Sequence, residues 1–371
     1  MDDGLYEVVT VKGLIFLAWP GVFCATTSKL VVMDESPPES SSRVIKLKGL
    51  FGLLIDTQDE TVIRPSTMPF PHLQANPNFV DGVASRDVVI SDSPSIWARV
   101  FLPEKASLVR DDKAFKKVPV ILYFHGGAFV ILSPDISFYH QYCEKIARKT
   151  NAVVVSVDYR LIPENRLPAA YDDAFTALSW LKTQATAANE LVDPWLATYA
   201  DFGKIFLMGD SAGANIVHHL SVRASSSDLE PLAIRGQILV QPMTGGPDRL
   251  RSEVVGAKNG SFSFQTNDWL WRLALPKGSD MSHPYCNLPA AVMELAKVPL
   301  PPALVVLGGV DWMHDRQFEY VASLRKTKKE VELLDYEKAK HGFFIYDTEE
   351  TGNFLRALAG FVTKRSREAR A

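Results

Sequence analysis

The sequence predicts an α/β fold with a mostly parallel central sheet of about eight strands, helices on both faces and a cap. Two observations support this prediction. Short runs rich in β-branched and aromatic residues alternate with stretches of helical periodicity from residue 83 onward, as is typical of parallel sheets covered by helices. The composition also fits, because 47% hydrophobic and 22% charged residues in a chain of 371 allow a large buried core.

The elements follow one another from residue 83 toward the C-terminal region. The predicted strands cover 87–90, 96–102, 118–124, 152–157, 204–208, 236–240, 303–307 and 331–336, and helices are predicted near 168–185 and 213–223. Residues 244–299 contain several Trp and Pro and show no clean period. We therefore predict an insertion between two late strands, placed as a cap over the pocket.

The N-terminal region differs from the rest of the chain. We expect residues 1–80 to form an N-terminal segment that packs on the main domain, which residues 81–371 form. The apolar stretch 14–24 contains Pro20 and Gly21 and is shorter than the roughly 20 apolar residues of a membrane-spanning helix, so no stable membrane insertion is expected. The chain begins with acidic residues, whereas signal peptides begin with basic ones. This difference predicts a cytoplasmic protein and leaves secretion as the alternative.

Charge and cysteine content exclude several classes of protein. The net charge of −3 and the pI near 6.3 provide no basic field for a phosphate backbone, so nucleic acid is not expected as a partner. Cys24, Cys143 and Cys286 are odd in number, far apart and outside any CxxC pair, which indicates neither a disulfide framework nor a zinc site. A reducing compartment fits this pattern best.

One pentapeptide provides the strongest catalytic signal. Residues 209–213 read Gly-Asp-Ser-Ala-Gly, which matches the G-x-S-x-G pattern and lies between an apolar strand and an amphipathic helix. A nucleophile elbow requires this context, because glycines on both sides of the serine remove Cβ atoms that would clash at the sharp turn. The pattern predicts Ser211 as a nucleophile at a helix N-terminus, whereas a serine-capped tight turn is the alternative for the pentapeptide alone.

A glycine pair upstream of the serine strengthens this prediction. His125-Gly126-Gly127 follows a predicted strand, where the loop that completes an oxyanion hole belongs in such folds. We predict that the backbone N–H groups of Gly126, Gly127 and Ala212 donate hydrogen bonds to the oxyanion of a tetrahedral intermediate. His125 is predicted to hold the loop through a backbone hydrogen bond and not to act as a base.

A serine nucleophile needs a histidine base and an acid that orients the histidine, and both follow the serine along the chain in this fold. Asp311 and His341 each come shortly after a predicted strand. Asp315 is the competing acid, but it lies a helical turn later and is expected to cap or salt-bridge the following helix. We therefore predict Ser211, His341 and Asp311 as a catalytic triad.

Further predictions concern the pocket and its support. Phe129, Trp271 and Trp312 are candidate substrate-binding walls of an apolar pocket that favours small aryl or short-chain acyl esters. The segment 158–168 contains three charged side chains that are predicted to form a buried ion-pair network beneath the oxyanion loop. They are Asp158, Arg160 and Glu164.

From about residue 81 to its end, the chain resembles the plant carboxylesterases, which belong to the hormone-sensitive-lipase group of α/β-hydrolases. The resemblance rests on the motifs described above, including Asp311 and His341, and on three further segments. These read Asp-Tyr-Arg-Leu at 158–161, Asp-Pro-Trp-Leu at 193–196 and His-Pro-Tyr at 283–285. The resemblance implies an α/β-hydrolase fold whose N-terminal segment forms part of the lid. Ala128 departs from the pattern, because many members have glycine there.

The resemblance implies a carboxylesterase that acts through an acyl-enzyme, without a metal or an organic cofactor. A small-molecule ester is the expected partner, and the protein is expected to be a monomer or a dimer. Two related groups give alternatives: gibberellin receptors, which lack the catalytic histidine, and hydroxyisoflavanone dehydratases, which use a similar site for elimination. His341 weighs against a receptor, and Ser211 favours hydrolysis over elimination.

Overall fold

The computed structural model of the protein describes residues 8–11, 14–17, 43–46, 53–65, 69–108, 110–111, 114–187, 192–259 and 263–368. The chain divides into two compact units, residues 1–33 and 34–371. In the first unit, strand β1 (Val8–Val11) pairs antiparallel with strand β2 (Leu14–Leu17). Cys24 and most of the apolar stretch around it lie outside the described residues.

Two small antiparallel sheets belong to the second unit. The first contains β3 (Val44–Lys46), β4 (Leu54–Asp56) and β5 (Thr61–Ile63), and the second pairs β8 (Arg110–Asp111) with β9 (Ala114–Phe115). Ile45 and Ile55 of the three-stranded sheet are buried in the larger hydrophobic core of the unit. This part of the N-terminal segment is therefore packed onto the body of the protein.

An eight-stranded sheet forms the centre of the second unit and confirms the predicted architecture. Its strands are β6 (Val83–Asp92), β7 (Ser95–Pro103), β10 (Val118–Phe124), β11 (Val153–Asp158), β12 (Ala200–Asp210), β13 (Ile234–Val240), β14 (Ala303–Gly308) and β15 (Val331–Tyr336). Their spatial order is β15-β14-β13-β12-β10-β11-β7-β6. The pairs of β7 with β6 and with β11 are antiparallel, and the other pairs are parallel.

Helices cover both faces of this sheet. They are α1 (Glu104–Leu108), α2 (Ser137–Thr150), α3 (Ala169–Thr186), α4 (Pro194–Tyr199), α5 (Ala212–Ala224), α6 (Arg251–Lys258), α7 (Phe264–Ala274), α8 (Val292–Lys297), α9 (His314–Lys326) and α10 (Glu349–Arg367), with 3₁₀ turns at Leu288–Ala291 and Phe343–Ile345. Successive residues of β10 point to opposite faces. Ile121 and Tyr123 join the core beneath α2 and α10, whereas Leu122 and Phe124 join the core beneath α3, α5 and α9.

The insertion between β13 and β14 contains α6, α7 and α8, as predicted for residues 244–299. The end of α7 contacts the segment that leads into α3. The N–H of Leu167 donates to the carbonyl of Ala274 at 2.8 Å, and Arg166 Nη1 donates to the carbonyl of Leu275 at 2.9 Å. The insertion therefore lies against the loop that precedes α3.

The parallel strands bring their carboxyl ends to one edge of the sheet, where sites are found in such folds. Residues 125–132 follow β10 and Ser211 follows β12. Asp311 lies shortly after β14, and His341 lies shortly after β15. The topology therefore gathers all the predicted catalytic residues at this edge.

Candidate active site

Ser211 lies at a sharp turn between β12 and α5. Its φ of 51° and ψ of −115° are outside the regions that non-glycine residues favour. A Cβ at Gly213 would overlap the carbonyl of Phe124, and a Cβ at Gly209 would overlap the backbone of Gly213. Both glycines are therefore needed for the close approach of strand and helix at this turn.

A continuous chain of hydrogen bonds links Ser211, His341 and Asp311. His341 Nε2 lies 3.1 Å from Ser211 Oγ, and His341 Nδ1 lies 2.8 Å from Asp311 Oδ2. Asp315, the competing acid, instead accepts a hydrogen bond from the N–H of Ser252 at 2.8 Å and lies in the first turn of α9. The structure thus brings together the three residues that the sequence predicts.

Asp311 is buried and accepts hydrogen bonds from several donors besides the histidine. Gln317 Nε2 donates to its Oδ2 at 2.9 Å, and the N–H of Met313 donates to its Oδ1 at 2.9 Å. Burial raises the pKa of this carboxyl, but the charge and hydrogen bond of His341 and the other donors hold the pKa below its ordinary value. Asp311 is therefore ionised where it meets the imidazole.

Two opposing effects set the basicity of His341. Burial lowers its pKa, whereas Asp311, through its charge and hydrogen bond, and the charge of Asp210 raise it, so that the pKa lies above the ordinary 6.5. A base with a pKa near the working pH is well suited to proton transfer. This geometry allows His341 to accept a proton from the hydroxyl of Ser211.

The structure contradicts the predicted role of Gly126. Its N–H already donates to the buried hydroxyl of Tyr139 at 2.8 Å, so it is not available to a substrate oxygen. A Cβ at this position would overlap the side chain of Asp210, which explains the need for glycine. Gly126 therefore serves close packing within the oxyanion loop, which we define as residues 125–132.

The N–H groups that remain available to a substrate oxygen belong to residues that directly follow Gly126 or Ser211. Within the described part of the chain, the N–H groups of Gly127 and Ala128 have no hydrogen-bond acceptor. Ala212 is the first residue of α5, where a helix leaves its N–H groups without an intrahelical partner. Gly127, Ala128 and Ala212 are thus the candidate donors to an oxyanion.

The side chain of His125 makes contacts that stabilise this loop. Its Nδ1 lies 2.7 Å from the carbonyl oxygen of Gly126, and its ring stacks on Tyr159 with 4.5 Å between the centroids. Burial lowers its pKa to about 4, which keeps the imidazole neutral at physiological pH. These contacts agree with the predicted structural role.

A family model described as the alpha/beta hydrolase fold matches residues 121–345. This range includes the oxyanion loop, Ser211, Asp311 and His341. The chain belongs to the α/β-hydrolase family.

Several proteins are similar to this chain over most of its length. The 3-O-acetylpapaveroxine carboxylesterase CXE1 of Papaver somniferum is 36% identical over 82% of this chain and 93% of its own. The gibberellin receptor GID1C of Arabidopsis thaliana is 38% identical over 78% and 83%. A solved esterase structure from Pyrobaculum calidifontis matches with a TM-score of 0.62 and 28% identity over 76% and 86%.

These relatives confirm the predicted resemblance to plant carboxylesterases, and the protein is a carboxylesterase-type α/β-hydrolase. Among the described residues, no group of His, Cys, Asp and Glu is arranged to hold a metal ion. No described helix has both the length and the apolar character needed to cross a membrane.

Gln241, which no sequence motif indicates, is a buried residue that supports the hydrogen-bonded chain of Ser211, His341 and Asp311. Its Nε2 donates to Asp311 Oδ2 at 3.1 Å and to the carbonyl of Lys340 at 3.0 Å, and its Oε1 accepts the N–H of Gly342 at 2.8 Å. It thus binds the acid and both neighbours of the histidine. Its place directly after β13, at the same sheet edge, is the signal that could have revealed it.

The predicted ion-pair network among Asp158, Arg160 and Glu164 is wrong. Arg160 pairs instead with Asp173, with Nη2 at 2.6 Å from Oδ1, and Glu164 pairs with Arg64 at 2.7 Å. Burial raises the pKa of Asp158 to about 7. Arg160 and Glu164 therefore have different partners, which come from α3 and from the N-terminal segment.

The three candidate pocket walls lie in two settings. Phe129 and Trp271 are fully buried, with 6.2 Å between their ring centroids, so the oxyanion loop and α7 touch through these rings. Trp312 follows Asp311 and lines a small cavity with Glu253 and other residues of α6 and α7. A substrate-binding role for these side chains remains a prediction.

Proposed function

We propose that this protein is a serine carboxylesterase that hydrolyses small aryl or short-chain acyl esters through an acyl-enzyme. The hydrogen-bonded chain from Ser211 Oγ through His341 to Asp311 Oδ2, with links of 3.1 and 2.8 Å, is the observation that supports it most strongly. A hydroxyl is a weak nucleophile until a base removes its proton, and an acid must fix the tautomer of that base.

In the acylation step, Ser211 Oγ attacks the ester carbonyl while His341 Nε2 takes the hydroxyl proton. Asp311 stabilises the resulting imidazolium and keeps Nδ1 protonated. The N–H groups of Gly127, Ala128 and Ala212 donate to the oxyanion; in other enzymes the loss of one such donor costs roughly 3 kcal/mol. His341 then delivers the proton to the departing alcohol, and the acyl group stays on the serine.

Deacylation repeats the same steps with water as the nucleophile. His341 takes a proton from the water as the water attacks the acyl carbonyl, and it returns this proton to Ser211 as the acid leaves. The same oxyanion donors serve both steps. No metal or organic cofactor takes part in this scheme.

The proposed substrate class rests on three aromatic candidates for the pocket walls and on one relative. Phe129, Trp271 and Trp312 are the proposed walls, and residues 34–80 together with the insertion after β13 are the proposed cap. The related 3-O-acetylpapaveroxine carboxylesterase is named for an acetyl ester, which supports a small acyl group here. The buried free thiols of Cys143 and Cys286 fit a reducing compartment such as the cytoplasm.

A ligand-binding role without catalysis is the second candidate, because a gibberellin receptor is among the similar relatives. The histidine weighs against it. A receptor needs no imidazole within hydrogen-bonding distance of a serine hydroxyl, whereas an esterase does.

Phenolate release from p-nitrophenyl acetate and p-nitrophenyl butyrate tests the proposal. Ser211→Ala and His341→Ala are expected to lower kcat at least about a thousandfold. Ser282→Ala and His72→Ala, which change an exposed serine and an exposed histidine, are matched controls with expected wild-type rates. A folded wild type that neither turns over these esters nor reacts with an organophosphonate at Ser211 would favour the ligand-binding role.

A further inference from the structure

The oxyanion loop holds a backbone conformation that its own residues do not favour. Gly127, Ala128 and Phe129 have consecutive φ angles of 107°, 53° and 62°. The left-handed region costs a non-glycine residue roughly 1–2 kcal/mol, so Ala128 and Phe129 keep it only where surrounding contacts fix the loop. The partners of the loop carbonyls therefore determine where its N–H groups point.

Arg64, which directly follows β5 in the N-terminal segment, supplies such a contact. Its Nε donates to the carbonyl of Val130 at 2.9 Å, and its Nη2 donates to the carbonyl of Ile162 at 2.7 Å. The N–H of Ile162 in turn donates to the carbonyl of Phe129 at 3.0 Å. One guanidinium group thus holds the oxyanion loop directly at Val130 and, through Ile162, at Phe129.

Glu164 fixes the orientation of this guanidinium. Its carboxylate accepts from Arg64 Nη1 at 2.7 Å and from Nη2 at 2.8 Å, and such bidentate pairs define the plane of the group. The hydrogen bond from Arg64 lowers the pKa of Glu164, so the pair is ionised at neutral pH. Because its charge is balanced and its donors face protein oxygens, Arg64 is suited to hold the loop and not to bind a substrate anion.

We infer that Arg64 is a positioning residue for the oxyanion hole, through which the N-terminal segment holds the N–H groups of Gly127 and Ala128 in place. This inference rests on the proposed esterase function. The charge that these N–H groups stabilise develops in the transition state. Loss of Arg64 therefore lowers kcat and leaves KM nearly unchanged.

Steady-state kinetics with p-nitrophenyl butyrate test the inference. Arg64→Ala is expected to lower kcat about ten- to a hundredfold, with KM changed by less than about threefold. Its affinity for a trifluoromethyl ketone, which forms an oxyanion on Ser211, should fall by a similar factor. Millimolar guanidinium should restore part of the lost kcat in the variant and leave the wild type unchanged, which a general folding defect would not produce.

Two further variants separate loop positioning from docking of the segment. Arg64→Lys keeps the charge beside Glu164 but lacks the planar fork that reaches both carbonyls, so an intermediate loss of kcat is expected. This variant decides the question if Arg64→Ala does not fold. Glu60→Gln disrupts the contacts of Glu60 with Arg166 and Arg272, at 2.6 and 2.8 Å, on the same segment, and should keep kcat within about twofold.

Three outcomes overturn the inference. If Arg64→Ala keeps its kcat and its ketone affinity beside a Ser211-dependent wild type, the positioning role fails and the esterase proposal stands. If Glu60→Gln loses as much kcat as Arg64→Ala, docking of the whole segment is responsible. If a folded wild type shows no turnover that depends on Ser211, the esterase proposal and the inference fail together.

Discussion

The backbone N–H of Gly126 donates to the hydroxyl of Tyr139 at 2.8 Å. That hydroxyl donates in turn to Asp210 Oδ2 at 2.8 Å, and the hydroxyl of Tyr123 donates to the other carboxylate oxygen. Asp210 directly precedes Ser211. A buried polar network therefore connects the start of the oxyanion loop to the turn at Ser211. It fixes the distance between these two parts of the candidate site.

Tyr139→Phe should break this network. The change leaves the buried N–H of Gly126 without an acceptor and removes one donor from Asp210, so the free energy of unfolding should fall by about 2–3 kcal/mol. Urea unfolding monitored by circular dichroism measures it. Tyr142→Phe is the matched control, since the buried hydroxyl of Tyr142 has no partner among the described residues. Equal losses in the two variants would contradict the network.

The sequence was sufficient to predict the sheet and the arrangement of Ser211, His341 and Asp311, because these signals are local. A G-x-S-x-G pentapeptide between a strand and a helix, and an Asp and a His shortly after later strands, can be recognised without knowing what lies across the fold. The strand 331–336 was predicted with the bounds that the structure shows. Chain order and strand ends then place Asp311 and His341 at one edge of the sheet.

The partners of individual polar groups could not be predicted in this way. Gly126 was assigned to the oxyanion hole because nothing local reveals that α2 brings Tyr139 beneath it. Asp158, Arg160 and Glu164 were predicted to form one network for the same reason. Arg160 instead pairs with Asp173 of α3, and Glu164 pairs with Arg64 of the N-terminal segment. Such choices depend on tertiary packing, which a linear pattern does not encode.

Gln241→Leu should impair the triad without removing any of its members. The change keeps the volume of the side chain but leaves the N–H of Gly342 and the carbonyl of Lys340 without their partner, so His341 loses a fixed position. We expect kcat to fall about tenfold or more. Gln237→Leu on β13, whose Nε2 donates to the carbonyl of Pro301 at 3.2 Å, is the matched control.

Kinetics with p-nitrophenyl butyrate compare these two variants. Gln237→Leu should affect stability and leave kcat near the wild-type value. A wild-type kcat in Gln241→Leu would show that Asp311 orients the histidine without help.

The pH profile of kcat/KM should follow the raised pKa of His341. The base acts in its neutral form, so activity should fall as the pH decreases through a midpoint above the ordinary value of 6.5. In Asp311→Asn, the carboxylate that raises this pKa is gone while burial still lowers it, so the midpoint should move to lower pH. The rate should also fall about 10⁴-fold, because the favoured tautomer is lost. An acid midpoint below 6.5 in the wild type would contradict this account.

His314 should stabilise the fold in a limited range of pH. Hydrogen bonds to Asp315 and Asp335, the latter at 3.0 Å from Nε2, raise its pKa to about 9. Because the folded pKa lies above the unfolded value, the stabilisation is fully present below pH 6.5 and is lost as the pH rises through 9. The partial exposure of the ring screens the interaction, so we expect about 1 kcal/mol.

His314→Gln tests this expectation through urea unfolding at two pH values. The variant should be less stable than the wild type at about pH 6 and equally stable at about pH 10, where the histidine of the wild type is neutral. Asp335→Asn should show the same dependence, because it removes a partner of the charged ring. A difference of equal size at both pH values would mean that His314 contributes through packing, since packing does not depend on its protonation.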